Sequence, residues 1–183
     1  MSKFPDRLGK ALLVIDVQND VVGDAWQRDE VIANINTLVA KAREAEASVI
    51  WVQHSDDYME IGSDAWQIVT ELQPMTNEPL IRKKFRSSFE ETILDETLAK
   101  LGVGHLVISG AQTDYCVRHT SHAALERGYD VTLVEDAHTT SDGQWDSGPL
   151  SASAIIDEMN RSFHNYELPG RSADIASTEE IVF

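Results

Sequence analysis

Three side-chain types in this chain could together perform nucleophilic chemistry: a thiol, a carboxylate and an amine. Cys116 is the only cysteine among 183 residues and lies in the stretch HLVISGAQTDYCVRHT. An apolar run from Leu106 to Ile108 reads as a buried strand, Gly110 ends it, and a helical pattern runs from Cys116 through Leu125 to Gly128. At a helix N-terminus the unpaired N–H groups and the dipole favour anions, so the thiol is expected below the roughly 8.5 of free cysteine. Asp16 stands at the end of another apolar run, Ala11 to Ile15, and Lys83 lies in the loop that leaves Pro79 to Arg82. A carboxylate beside a thiol can take its proton, and a nearby lysine keeps that carboxylate ionised and favours the thiolate. The N–H groups of the turn from Gln112 to Cys116 would then face the oxyanion of a tetrahedral intermediate. This is acyl-transfer chemistry. Each residue also has a plainer reading, as a small buried hydrophobe, a capping aspartate or a solvated lysine, and spacing alone leaves their convergence open.

The elements that must position these residues read as alternating strands and helices. Ala11 to Ile15 is wholly apolar and too short for a helix, as in a parallel strand buried on both faces. Val31, Ile35, Leu38, Val39 and Ala42 follow at helical spacing, and Val49 to Val52 is a second apolar strand. The polar segment from His54 to Glu78 is expected to wander over the surface with one short helix near Trp66, before a short third strand, Pro79 to Arg82. A helix opening at Thr92 carries Leu94, Leu98 and Leu101 on one face until Gly102. After the Cys116 helix, Val131 to Val134 reads as a fifth strand and Ser151 to Phe163 as a helix. A weak final strand lies over Asp174 to Ser177. The pattern predicts one α/β domain over residues 1–183, three αβα layers around a mainly parallel, Rossmann-like sheet of about six strands. In such sheets ligands sit beyond the carboxyl ends of the strands, where Asp16 and Cys116 both fall.

Composition narrows the partners. Lys plus Arg number 15 against 31 Asp plus Glu, a net charge of −16, which disfavours nucleic acid and anionic membranes. No apolar run approaches the ~20 residues of a membrane span, and the N-terminus lacks a signal-peptide pattern, so a soluble, cytoplasmic protein is expected. A single thiol fits a reducing compartment and rules out an internal disulfide.

Three motifs, LLVIDVQND, KKFRSSF and GAQTDYCV, resemble in order those of the isochorismatase-like cysteine hydrolase superfamily, which includes nicotinamidases and N-carbamoylsarcosine amidases. The resemblance runs from about Leu12 to Thr140 and more weakly to the tail. It implies that Asp16 is the catalytic carboxylate and that Cys116 is the nucleophile. The register of the second motif selects Lys83 over Lys84, with Ser87 and Phe89 completing it. It further implies a cis peptide at Ala111–Gln112, which would aim the Gln112 and Cys116 N–H groups at an oxyanion. Nicotinamidases of this superfamily hold a metal just after the second strand, where this chain reads VQHSDDY. His54 and Asp56 are a fragment of such a site without an adjacent histidine pair, so neither a metal nor another cofactor is expected. His119 and His122, spaced i,i+3, read as a surface helix. Tyr58, Trp66, Tyr115 and Trp145 fall in or next to loops and are expected to line a small apolar pocket. The resemblance favours a thiol-dependent amidase acting on a small molecule, in a homo-oligomer of two or more subunits. Two other readings stand beside it: a vinyl-ether hydrolase using Asp16 without covalent catalysis, and a non-enzymatic binding or redox-sensing protein of the same fold.

Overall fold

The computed structural model describes residues 2–164 and 166–183, apart from the side chains of Trp145 and Glu167. In chain order the elements are β1 (Gly9–Ile15), α1 (Asn19–Val22), α2 (Arg28–Glu44), β2 (Ser48–His54), β3 (Leu80–Lys83), α3 (Leu94–Lys100) and β4 (Val103–Ala111). A π-helical turn (Thr113–Val117) leads into α4 (Arg118–Arg127). Then come β5 (Asp130–Thr139), β6 (Gly143–Trp145), β7 (Gly148–Leu150), α5 (Ala152–His164), β8 (Glu167–Leu168) and β9 (Arg171–Ala176). One sheet has the order β3-β2-β1-β4-β5-β9-β8. Its first six strands pair in parallel, and β8 closes the edge antiparallel to β9. The expected parallel sheet of about six strands is present, and strand order reverses between β1 and β4.

The apolar runs are buried on both faces because they alternate between two cores. Ala11, Leu13 and Ile15 of β1 face a core shared with Leu94 and Leu98 of α3, Leu125 of α4 and Met159 and Phe163 of α5. Leu12 and Val14 face the opposite core, which α2 covers with Ile35, Leu38 and Val39. Each fully buried leucine or isoleucine contributes about 1.5–3 kcal/mol by leaving water. Among the described residues no helix is long and apolar enough to cross a membrane.

Several expectations need correction. No helix forms near Trp66; the segment makes turns and one bridge, Gln18 to Ile68. Its turns are fixed from the site side, since buried Gln18 donates to the Trp66 carbonyl at 2.8 Å. β5 does not stop at Glu135, because a register shift opposite Ile108 to Gly110 lets it continue and pair His138 with Gly110. The last strand begins earlier, at Arg171, where it can pair with β8. The hairpin of β6 and β7 was not foreseen from its short, polar sequence. The C-terminal segment folds onto its own chain: Ile181 enters the α2 core, and Lys41 donates to the carbonyls of Thr178, Glu179 and Ile181.

Candidate active site

The adjacency of β1 and β4 puts their carboxyl ends side by side. β1 ends at Ile15, and Asp16 turns the chain with φ of 50°, a left-handed conformation that aspartate tolerates better than most residues. Its amide donates to the Val52 carbonyl at 3.0 Å, which ties the turn to β2. β4 reaches Gly110, whose φ is 117°, and then the Ala111–Gln112 peptide, which is cis. The chain next winds through the π-helical turn, with Tyr115 and Val117 amides donating to the Gln112 carbonyl at 3.1 and 3.2 Å. Cys116 lies in this turn, not at the N-terminus of an α-helix. No protein acceptor for the Gln112 amide occurs among the described residues.

Lys83, the last residue of β3, pairs across the sheet with His54. Its ammonium has three donors, and three acceptors surround it: Asp16 Oδ2 at 2.6 Å, Cys116 Sγ at 3.2 Å and His54 Nδ1 at 3.4 Å. Asp16 is 1% exposed and Lys83 2%. Beyond that ion pair no amide or hydroxyl donor among the described residues reaches the carboxylate, which faces the Cys116 thiol. Burial lifts the Asp16 carboxyl above the ordinary carboxylate value, and Lys83 draws it back only in part. Burial opposes the charge on Lys83 too, but the attraction of Asp16 and then Cys116 outweighs it and holds the amine above the ordinary lysine value. For Cys116, burial first and the Asp16 carboxylate second push the thiol up to about 12, with Lys83 opposing. The expected depressed thiol is therefore overturned. With no α-helix N-terminus at Cys116 and an anion as neighbour, the resting sulfur keeps its proton.

A cavity of about 290 Å³ opens over the sulfur, lined by Asp16, Val21, His54, Arg86, Gln112, Tyr115 and Cys116. Tyr115 is thus at the site as expected. Tyr58 is not: it is almost fully exposed and lines a neighbouring cavity with Ile61 and Phe85. Trp66 is buried, with Arg82 stacked 5.6 Å from its ring, and does not reach the cavity over Cys116. Trp145's side chain lies outside the described residues.

The metal fragment after β2 does not fit a cation. His54 presents Nδ1 to the Lys83 ammonium and Nε2 to Asp56 at 3.3 Å. Asp56 Oδ1 in turn accepts the Tyr58 and Met59 amides at 2.9 and 2.8 Å. His54 and Asp56 thus partner one another and the chain around them, and no third metal-ligating side chain joins them among the described residues. His119 and His122 each direct Nδ1 at a backbone carbonyl, of Tyr115 and Arg118, as surface-helix residues do.

Four supporting residues, Gln18, Thr113, His138 and Asn160, were given no role from the sequence, and neither were His54 and Arg86 as lining of the cavity. Gln18 clamps β2 by donating to the His54 carbonyl at 3.0 Å and accepting the His54 amide at 2.8 Å. Thr113, at the head of the π-helical turn, hydrogen-bonds His138 Nδ1 at 2.9 Å, while His138 Nε2 meets Asn160 Oδ1 at 2.9 Å. His54 and Arg86 line the cavity. A glutamine two residues beyond Asp16 was the one available signal, since polar residues rarely follow a buried strand so closely without a partner.

The chain is similar to known proteins. The model of the isochorismatase domain matches residues 10–157. A streptothricin hydrolase of Streptomyces noursei is 32% identical over 140 residues, covering 73% of this chain and 55% of that protein. The chain therefore spans only about half the length of that relative. The ureidoacrylate amidohydrolase RutB of Klebsiella pneumoniae is 31% identical over 169 residues, covering 69% of this chain and 72% of that protein. Among solved structures, an isochorismatase from Pseudomonas putida KT2440 superposes with a TM-score of 0.85 at 29% identity, over 94% of this chain and 90% of that one.

Proposed function

The chain belongs to the isochorismatase family of hydrolases, and on that premise we propose that it cleaves a C–N bond of a small amide-like molecule through a thioester on Cys116. One observation supports this reading most: the single thiol, a buried carboxylate and a buried ammonium meet at the floor of a small cavity, with Lys83 2.6 Å from Asp16 and 3.2 Å from Cys116. Two relatives are named as hydrolases, one of them an amidohydrolase.

The thiol gives its proton to Asp16 as Sγ bonds to the substrate carbonyl carbon. The Gln112 and Cys116 N–H groups receive the oxyanion. As the oxyanion collapses, the C–N bond breaks and Asp16 passes the proton to the leaving nitrogen, leaving a thioester. Water then loses a proton to Asp16 and attacks the thioester. The C–S bond breaks, the acid departs, and the sulfur recovers its proton. Lys83 stays protonated throughout and balances whichever of Asp16 and Cys116 is charged.

The test is release of ammonia or amine from a panel of small amides and ureides by the wild type and by Cys116→Ala. Loss of at least about 1,000-fold in turnover is expected, together with an acyl adduct on Cys116 in the wild type by mass spectrometry. Turnover retained by Cys116→Ala would discard the thioester and favour hydrolysis through Asp16 alone.

A further inference from the structure

The charges lining the cavity leave one unmatched. Asp16 is neutralised by Lys83 at 2.6 Å. His54 is held between the Lys83 ammonium and Asp56. Arg86 alone has no carboxylate and no hydrogen-bond acceptor among the described residues. Its contact is a stack, with Cζ 4.4 Å from the centre of the Tyr115 ring. Arg82, over the Trp66 ring, is likewise without a carboxylate among the described residues but lies outside this cavity, whereas four other arginines find one in a chain of 31 acidic residues. Arg28, Arg43, Arg118 and Arg127 each hold a carboxylate side chain.

A guanidinium held over an aromatic ring is positioned without using its N–H groups, which stay free to meet a carboxylate with two parallel hydrogen bonds. Tyr115 precedes the nucleophile in sequence, so the π-helical turn that carries the sulfur also carries the platform of the cation. Lys84, two residues before Arg86, lines a different cavity and cannot substitute for it.

We propose that Arg86 is a specificity residue that anchors a carboxylate of the substrate, making the natural substrate a small amide or ureide that is itself an anion. This rests on the proposed amidase reading and narrows it to one substrate class. It also accounts for how a chain of net charge −16 would hold an anion: the general field repels it, and one unpaired guanidinium reverses that sign locally.

The test uses Cys116 as its own reporter, because the chain has no other thiol. Iodoacetate and iodoacetamide alkylate the same sulfur and differ chiefly in charge, so the ratio of their rates reads the anion preference above Cys116. The ratio is expected to fall about tenfold in Arg86→Met and to be partly restored in Arg86→Lys, which keeps the charge without the fork. A ratio in Arg86→Met within about twofold of wild type would overturn the proposal. In turnover, monoamides of small dicarboxylic acids are expected to be favoured over their methyl esters by the wild type, with the loss in Arg86→Met falling on KM. If no amide is hydrolysed while the alkylation ratio still depends on Arg86, the amidase reading fails and the anion site stands.

Discussion

Cys116 shows how a residue's type can be read correctly and its state misread. Its position after a buried strand marked it as reactive, and an acidic thiol followed from the expected helix N-terminus. In the folded chain burial and Asp16 push it up to about 12 instead. In the proposed mechanism Asp16 is both an electrostatic brake on the resting thiol and the acceptor of its proton during attack, and the two roles separate in one variant. Asp16→Asn removes the negative charge and leaves Lys83 unopposed, so the thiol should titrate lower. Iodoacetamide alkylation at pH 8 is then expected to be several-fold faster than in wild type, while amide turnover falls by about 100-fold or more for want of the base. Slower alkylation in Asp16→Asn would mean that the carboxylate activates the resting sulfur and would sink the electrostatic account. The residues legible in the sequence were those with few alternative employments: one cysteine, an aspartate ending a buried strand, and a lysine in a motif. Arg86 was not, because an arginine in a loop has no spacing that distinguishes it, and His54 stood out only as the fragment of a metal site. Tyr58 and Trp66 misled for the converse reason, since an aromatic residue near a loop is as readily solvated or buried as aimed at a ligand.

The strands were readable because burial on both faces demands unbroken apolar runs, and their ends were not, because pairing sets them. β5 continues through Glu135 and Asp136 on account of a shift in its pairing with β4, which no local pattern encodes. The π-helical turn at Thr113–Val117 likewise carries the same kind of residues as the first turn of an α-helix. Where β4 meets β1 the constraint is sharper. Gly110 has φ of 117°, and a Cβ there would run into the Ile15 carbonyl and lie 2.6 Å from the Ile15 nitrogen. Both atoms belong to backbone one residue from Asp16, so neither can move without moving the carboxylate. Gly110→Ala is expected to cost about 3 kcal/mol or more, from the overlap and the disfavoured φ together, measured as a shift of the urea midpoint. Alanine tolerated there with unchanged midpoint and turnover would show that the close approach of β1 and β4 is not required.

Across the whole molecule, the acid side of stability should be governed early by a group that carries no charge in the native state. His138 is buried 1% exposed between Thr113 and Asn160, and burial pushes it down to about 4. Its Nδ1 accepts from the Thr113 hydroxyl and its Nε2 donates to Asn160, whose amide reaches the Glu135 carbonyl at 3.1 Å. The ring therefore joins the turn that carries Cys116, β5 and α5, and it does so as the neutral imidazole. On unfolding it regains an ordinary value near 6.5, so below that pH the unfolded chain binds a proton that the native one refuses. The stability it contributes is complete above pH 6.5 and is lost progressively as pH falls to about 4. His105, also lowered by burial, adds a loss of the same sign. Between pH 7 and pH 5 His138 alone accounts for about 2 kcal/mol of unfolding free energy. His138→Gln is expected to be less stable than wild type at pH 7, because Thr113 loses its acceptor, and yet to show a drop from pH 7 to pH 5 that is smaller by about that amount. Urea unfolding of both proteins at the two values measures it. Equal drops would mean that His138 is already solvated in the native state and that the turn carrying Cys116 is held by other contacts.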